Sequence, residues 1–184
     1  FAEQFFFFFS LEELTQRRLS DLVGSTLSAW RLLQRFDPAE PEVHVFNPDF
    51  EKHGWQSTHA AVEVLHPDIP FLVDSVRMEL SRRGYSIHTL QNSVFKVRRN
   101  AKGELLELHP RSADAAGLHA EALMFLEIDR CASAGAQRTL EKALQEVLGD
   151  VRLAVADFEP IKAKAQSLLE SLQKAKPKAK ESAE

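Results

Sequence analysis

From Ser10 onward the apolar positions of this chain first recur at helical spacing and then change period. Ser10 and Glu13 have the spacing of a capping box, and Leu11, Leu14 and Leu22 behind them predict an amphipathic helix. A second helical stretch follows Gly24, with Leu27, Trp30 and Leu33 on one side. Asp37-Pro38 and Glu40-Pro41 end it, because each proline restricts the residue before it. The five consecutive aromatics Phe5 to Phe9 would be an aggregation hazard in water, so they are expected to pack on a neighbour or on sequence further upstream.

From Val43 the period shifts toward two. "EVHVFNP" predicts a short edge strand, "DFEKHGWQS" a polar loop around Gly54 and Trp55, and "THAAVEVL" a strand bounded by Pro67. "PFLVDSVRMELSRRG" predicts a helix with Pro70 in its first turn and Gly84 past its end; Leu72, Val73, Val76 and Leu80 would face inward, Asp74, Arg77 and Arg82 water. "YSIHTLQNSVFKVRR" predicts a long strand that turns at Asn100 to Gly103 and returns as "ELLEL". "EALMFLEID" reads as a buried strand, "AQRTLEKALQEVLG" as a helix ending at Gly149, "VRLAVADF" as a final strand and "EPIKAKAQSLLESLQ" as a last helix.

The core order is therefore strand, helix, strand, strand, helix, strand. That βαββαβ pattern predicts an α+β, ferredoxin-like antiparallel sheet with its helices on one face, preceded by a helical arm. The expected divisions are the arm over residues 1–41, the α+β domain over 42–158, and a C-terminal helix and linker or tail over 159–184. Val64, Leu72, Val76, Leu80, Phe125, Leu140, Leu144 and Val155 are expected to share one sheet-helix interface. In "EALMFLEID" both side-chain sets are largely apolar, so both faces of the sheet need a cover. The arm is the expected cover for the face that the two helices leave open.

Composition narrows the function classes. The chain has 184 residues, is 44% hydrophobic and carries a formal net charge of -4. That suits one main core with an appendage and gives no global attraction to a phosphate backbone, so no nucleic-acid partner is expected. A lone cysteine, Cys131, rules out an internal disulfide and fits a reducing, cytoplasmic compartment. No stretch approaches the ~20 apolar residues of a membrane span. The first residue is Phe1, and "QKAKPKAKESAE" is poor in apolar residues, so both ends read as cuts from a longer polypeptide.

Candidate chemistry is sparse. The seven glycines are scattered, which removes both the G-x-G-x-x-G turn and the P-loop that would cradle a pyrophosphate. The histidines lack metal-ligand spacing. His88 reads as a sheet histidine, and His66 and His109 as turn residues before prolines. Cys131 has no local activator and reads as a small buried hydrophobe. No catalytic, cofactor-binding or metal-binding residue is assigned.

The stretches "HPDIPFLVDSVRMELSRRGYSIHTL", "LMFLEIDR" and "VLGDVRLAVADF" resemble the N-terminal region of the large bacterial NAD-specific glutamate dehydrogenases. The likeness extends through "LTQRRLSDLVGSTLSAWRLLQRFDPAEPEV" and "HGWQSTHAAVEVLHPDIPFLVDSV"; it departs at Phe5 to Phe9, where a more varied segment would be expected. The resemblance implies an ACT-like, non-catalytic regulatory or assembly domain. It also implies a parent oxidoreductase that deaminates L-glutamate to 2-oxoglutarate and ammonia while reducing NAD. Implied partners are the remainder of the polypeptide, further copies in a homo-oligomer, and an amino-acid effector. A stand-alone amino-acid-sensing module is the competing reading.

In ACT-like modules the first strand-to-helix loop can hold an effector, because free N–H groups at a helix start receive a carboxylate. Here that loop comprises His66, Asp68, Ile69, Pro70 and Phe71. Ile69 adds bulk, Pro70 removes a donor and Asp68 would repel a carboxylate, so a structural role is favoured over effector binding.

Overall fold

The computed structural model describes residues 1–7 and 9–175; Phe8 and residues 176–184, which hold most of the expected tail, lie outside the described residues. Three helices come first: α1 (Ala2–Phe5), α2 (Leu11–Thr15) and α3 (Leu19–Gln34). The Ser10–Glu13 capping box is formed. The Ser10 side chain accepts from the Glu13 N–H, and the Glu13 carboxylate accepts from the Ser10 N–H at 2.7 Å. Arg18 starts α3 anew, so Leu22 belongs to it, and Gly24 lies inside that helix rather than before it. The buried side of α3 is Gly24, Ser25, Ala29, Leu32 and Leu33, whereas Leu27 is exposed.

Five strands follow in one sheet: β1 (Glu42–Phe46), β2 (Ala60–Pro67), β3 (Ile87–Arg99), β4 (Leu105–Pro110) and β5 (His119–Ile128). All pairings are antiparallel, in the spatial order β1-β2-β5-β3-β4. The connections hold a short turn of helix, α4 (Phe50–His53), and then α5 (Leu72–Arg82); α6 (Ala134–Ala175) follows the last strand. The architecture is the expected α+β antiparallel sheet with helices.

One expected strand is not a strand. "VRLAVADF" is helical throughout, part of the unbroken α6. Val151, Leu153 and Val155 alternate, but Val151, Val155 and Phe158 also stand at helical spacing, and Gly149 makes no turn. A split βαββαβ unit places its last strand beside its first; here β1, from upstream, takes that edge next to β2. Pro160 also lies within α6, where it removes one backbone hydrogen bond without ending the helix.

The central strands β2 and β5 are buried along nearly their whole length because the sheet is covered on both sides. Val62, Val64, Met124, Leu126 and Ile128 meet Leu72, Val76 and Leu80 of α5 and Leu140, Leu144 and Leu148 of α6. Ala61, Leu65, Leu123, Phe125, Phe95 and Val97 meet Phe5, Leu33, Phe36 and Trp55. The arm thus covers the second face, as the two-sided apolar pattern of β5 requires. Two members of the expected interface are misplaced by the reading above: Phe125 points to the arm, and Val155 sits half-buried on α6.

Of the described residues of the aromatic run, Phe5 finds its cover within the chain, whereas Phe7 is 74% exposed. Phe5 is 1% exposed and its ring lies 5.7 Å edge-on from Phe125, while Phe1 stacks on Phe95 at 5.4 Å. Polar clasps fix α1 on β3: Gln4 Nε2 donates to the Val94 carbonyl at 2.6 Å and Ser93 Oγ to the Gln4 carbonyl at 3.0 Å. Among the described residues no helix is long and apolar enough to cross a membrane.

Candidate functional site

The loop between β2 and α5 splits its residues between inside and outside. His66 ends the buried part of β2 and is 1% exposed. Its Nδ1 donates to the Pro67 carbonyl at 2.8 Å, which leaves Nε2 as an acceptor; that atom is buried and has no hydrogen-bond partner. Burial pushes the imidazole below its ordinary range, the Pro67 bond opposes this, and the charge of Arg152 adds to the depression. Asp68 extends the ladder by one bond, its N–H donating to the Ala120 carbonyl at 2.9 Å, while its side chain faces water. Ile69 packs on the α5/α6 core, and Pro70 is exposed.

Phe71, not Pro70, marks the start of α5. It has φ 71° and ψ 1°, a left-handed conformation uncommon for an aromatic residue, and is 68% exposed. No side chain caps the helix at this residue. The five loop residues therefore do not converge, and they line none of the clefts described below.

A polar cleft of about 820 Å³ opens elsewhere, where α2 and α3 cross the end of the sheet. Glu127 lies at its base. Arg17 Nη2 reaches Glu127 Oε2 at 2.5 Å and Thr89 Oγ1 at 3.2 Å, and Ser57 Oγ donates to Glu127 Oε1 at 3.1 Å. Burial pushes the Glu127 carboxyl up, but the Arg17 bond and charge, with Ser57 and Thr89, outweigh it and hold the group below the usual range. Arg130 donates to the Ser57 carbonyl at 2.9 Å.

His88 sits at a bulge, where the pairing of β3 with β5 slips between Ile87 and Thr89. The bulge turns its ring outward, 4.0 Å from that of His59, with Nε2 2.8 Å from Asp129 Oδ1. Asp129 also accepts from the Ser86 N–H; that bond, followed by the His88 contact, lowers its carboxyl to about 2. Thus Arg17, Arg130 and His88 are all committed to internal partners. The Ser57 hydroxyl, set against the Glu127 carboxylate, shares that carboxylate with Arg17.

A second cleft, about 550 Å³, lies between α3 and the edge strand and is lined by Glu63, His44, Arg31 and Arg35. Glu63 pairs across β1 with His44; its side chain is 2% exposed, Oε2 is 3.9 Å from His44 Nδ1, and Oε1 has no hydrogen-bond partner. Burial pushes its carboxyl up to about 7, while the Ser28 hydroxyl and His44 pull the other way. Glu63, Glu121 and Glu127 went unread as structural acids. The signal was present as single acids inside apolar strands, "AAVEVL", "HAEALM" and "FLEI".

Cys131 is buried beside Tyr85, its Sγ 3.8 Å from the phenol oxygen, and burial raises its thiol above the ordinary range. Among the described residues no group of three or more His, Cys, Asp and Glu side chains could hold a metal ion.

Comparison with known proteins decides the family. The family described as "Glutamate dehydrogenase, ACT1 domain" matches residues 1–144. The chain belongs to the glutamate dehydrogenase ACT1 domain family. Over 176 residues it is 72% identical to a protein of Pseudomonas aeruginosa named NAD-specific glutamate dehydrogenase, and over 178 residues 47% identical to one of the same name from Halomonas elongata. Each match covers 96% of this chain but 11% of the relative, so the chain spans about a tenth of the length of these proteins. The ACT1 match stops at Leu144, one turn before the last buried residue of α6, Leu148.

Proposed function

We propose that this chain is a non-catalytic, N-terminal regulatory or assembly domain of an NAD-specific glutamate dehydrogenase. The remaining polypeptide, its first partner, would deaminate L-glutamate to 2-oxoglutarate and ammonia and carry the NAD that is reduced. A cytoplasmic, homo-oligomeric enzyme goes with this reading. The observation that carries it is the 72% match to a small part of a relative so named. The polar groups described above, which mainly tie arm, sheet and hairpin together, support it.

The test uses the full-length enzyme. Removing this segment is expected to leave turnover in the folded remainder while changing its assembled mass or its response to amino acids. Mass and response both unchanged would sink the reading.

A second reading, a stand-alone amino-acid sensor, is favoured by the unpartnered Nε2 of His66 at the strand end that leads into α5. His66, Asp68, Ile69, Pro70 and Phe71 would then form the effector loop. Titrating L-glutamate and L-aspartate into the chain while following the His66 ring by NMR tests it. Saturable shifts support the sensor, and resonances unmoved at high ligand concentration remove it.

A further inference from the structure

Helix α6 is longer than the domain can cover. Its inward stripe Leu140, Leu144, Leu148 and Val151 advances in steps of four, four and three residues. Leu140 and Leu144 are buried against the sheet and Val151 packs at its margin. Arg152 then donates to the Ala39 carbonyl. Beyond this point alternating steps of three and four carry the stripe through Ala154, Phe158, Ile161, Ala165, Leu168 and Leu172, yet every residue from Ala156 to Gln173 is exposed. Phe158 is 60%, Ile161 64%, Leu168 56% and Leu172 64% exposed.

Alternating steps of three and four give a repeat of 3.5 residues, the spacing that winds one helix around another. An isolated helix with such a stripe facing water is marginal, and burying the stripe is what stabilises it. Pro160 falls at an outer position of the heptad, away from the seam. With Phe158 and Ala165 at the first core position and Ile161 and Leu168 at the second, Asp157 and Lys162 occupy the flanks.

In a parallel, in-register pair, a flanking residue meets the one five positions on in the other helix. Asp157 of each copy then meets Lys162 of the other, an opposite-charge pair made twice by the two-fold axis. Antiparallel pairing in the frame that layers Phe158 on Leu168 sets the Lys164 side chains of the two copies against each other. The charges therefore choose the parallel arrangement. Lys162 is free to turn toward it, since its present contacts are a 3.7 Å approach to Glu159 and a position 5.9 Å over the Phe158 ring, within its own helix.

We propose that the exposed stripe of α6 is a self-association surface, which pairs with the same helix of a second copy as a parallel two-stranded coiled coil. This goes beyond the regulatory reading and does not rest on it. The seam from Phe158 to Leu172 is only ~22 Å long at 1.5 Å per residue, so association is expected to depend on concentration.

Sedimentation equilibrium of the 184-residue chain tests the idea. The mass should rise from 20.8 kDa toward twice that value with concentration. Ile161→Asp with Leu168→Asp should hold it at the monomer value with the melting of the sheet core unchanged, because both residues lie outside that core. Asp157→Lys alone should weaken the dimer, and adding Lys162→Asp should restore it. Leu172→Cys should form a disulfide-linked dimer under oxidation, since only a parallel pair brings the two ends together. A chain monomeric up to its solubility limit, a dimer that survives Ile161→Asp with Leu168→Asp, or a Leu172→Cys dimer that does not cross-link would each overturn the proposal.

Discussion

Arg99 and Glu121 meet in a two-pronged ion pair, Nε to Oε1 at 2.8 Å and Nη2 to Oε2 at 2.7 Å, with 6% and 3% of their side chains exposed. The same guanidinium donates to the Gly103 carbonyl at 2.9 Å and lies 5.6 Å over the Phe36 ring. Phe36 in turn donates its N–H to the Gly103 carbonyl, so this one cation ties the end of the arm, the β3–β4 turn and the central strand β5 together. Gly103 is required here. Its φ is +77°, and a Cβ would stand 2.3 Å from the Phe36 oxygen.

Removing one partner of a buried pair leaves the other charge stranded, at a cost of about 3–5 kcal/mol. Arg99→Met is expected to destabilise the chain by that order in urea unfolding. Adding Glu121→Met should recover most of the loss, and Arg99→Lys should fall between, because an ammonium cannot match the fork geometry. A single-variant loss no larger than that of an exposed ion pair would show that the pair does not anchor the arm.

Gly24 offers a second test of the arm's seat. A Cβ at this position would stand 2.3 Å from Trp55 Cβ, so Gly24→Ala should cost about 1–3 kcal/mol despite the better helix propensity of alanine. Gly149, inside α6 with open space around it, is the control. Gly149→Ala should stabilise by about 0.5–1 kcal/mol. The two changes are chemically identical, so opposite signs in the thermal midpoint isolate the contact with Trp55.

What the sequence disclosed, and what it hid, follows from how local each signal is. β2, α5, the β3–β4 hairpin and β5 were legible because their periods, breakers and capping residues act over a few positions. The two-sided apolar pattern of β5 even required the arm to cover the sheet. "VRLAVADF" misled because Val151, Leu153 and Val155 alternate while Val151, Val155 and Phe158 also step as a helix; a short apolar run satisfies both periods. Gly149 looked like a stop, but only the position of β1 at the sheet edge, a long-range fact, removes the need for another strand. The paired acids were harder still, since Glu121 and Arg99 lie 22 residues apart and meet only in the fold.

Glu63 makes stability fall with rising pH. Its folded-state value of about 7 exceeds the ordinary 4.5, so between these values the folded chain holds a proton that the unfolded chain has lost. Its contribution is fully present below pH 4.5 and is lost as pH climbs through about 7, by on the order of 3–4 kcal/mol at ~1.4 kcal/mol per unit. Glu63→Gln should remove that slope and leave the variant the more stable at pH 8. An unchanged slope from pH 5 to 8 in urea titrations would exclude a buried, proton-holding Glu63.

His66 acts in the opposite sense. Burial lowers its value from 6.5, so the unfolded chain takes up a proton first as pH falls, and stability declines below about 6.5. His66→Leu should flatten that acid limb while leaving the Glu63 slope above it. NMR titration of the ring should find that it takes up its proton at lower pH than an ordinary imidazole. A ring that titrates at or above the ordinary value would mean that His66 is not buried as described.

Deleting residues 1–35 uncovers Leu123, Phe125, Phe95 and Leu65 on the arm's face of the sheet. Strong binding of a hydrophobic dye and a lower melting temperature are expected, with the α5/α6 core responsible for what structure remains. Dye signal and melting equal to those of the intact chain would show that the arm does not cover the sheet.

The central claim, that this domain regulates or assembles an oxidoreductase without performing its chemistry, is tested most directly by incubating the purified chain with L-glutamate and NAD and following reduction of the nicotinamide. The account predicts no reduced nicotinamide above the protein-free control at any chain concentration, from protein whose melting shows it is folded. Reduction that rises in proportion to the chain, and that saturates with L-glutamate, would contradict it.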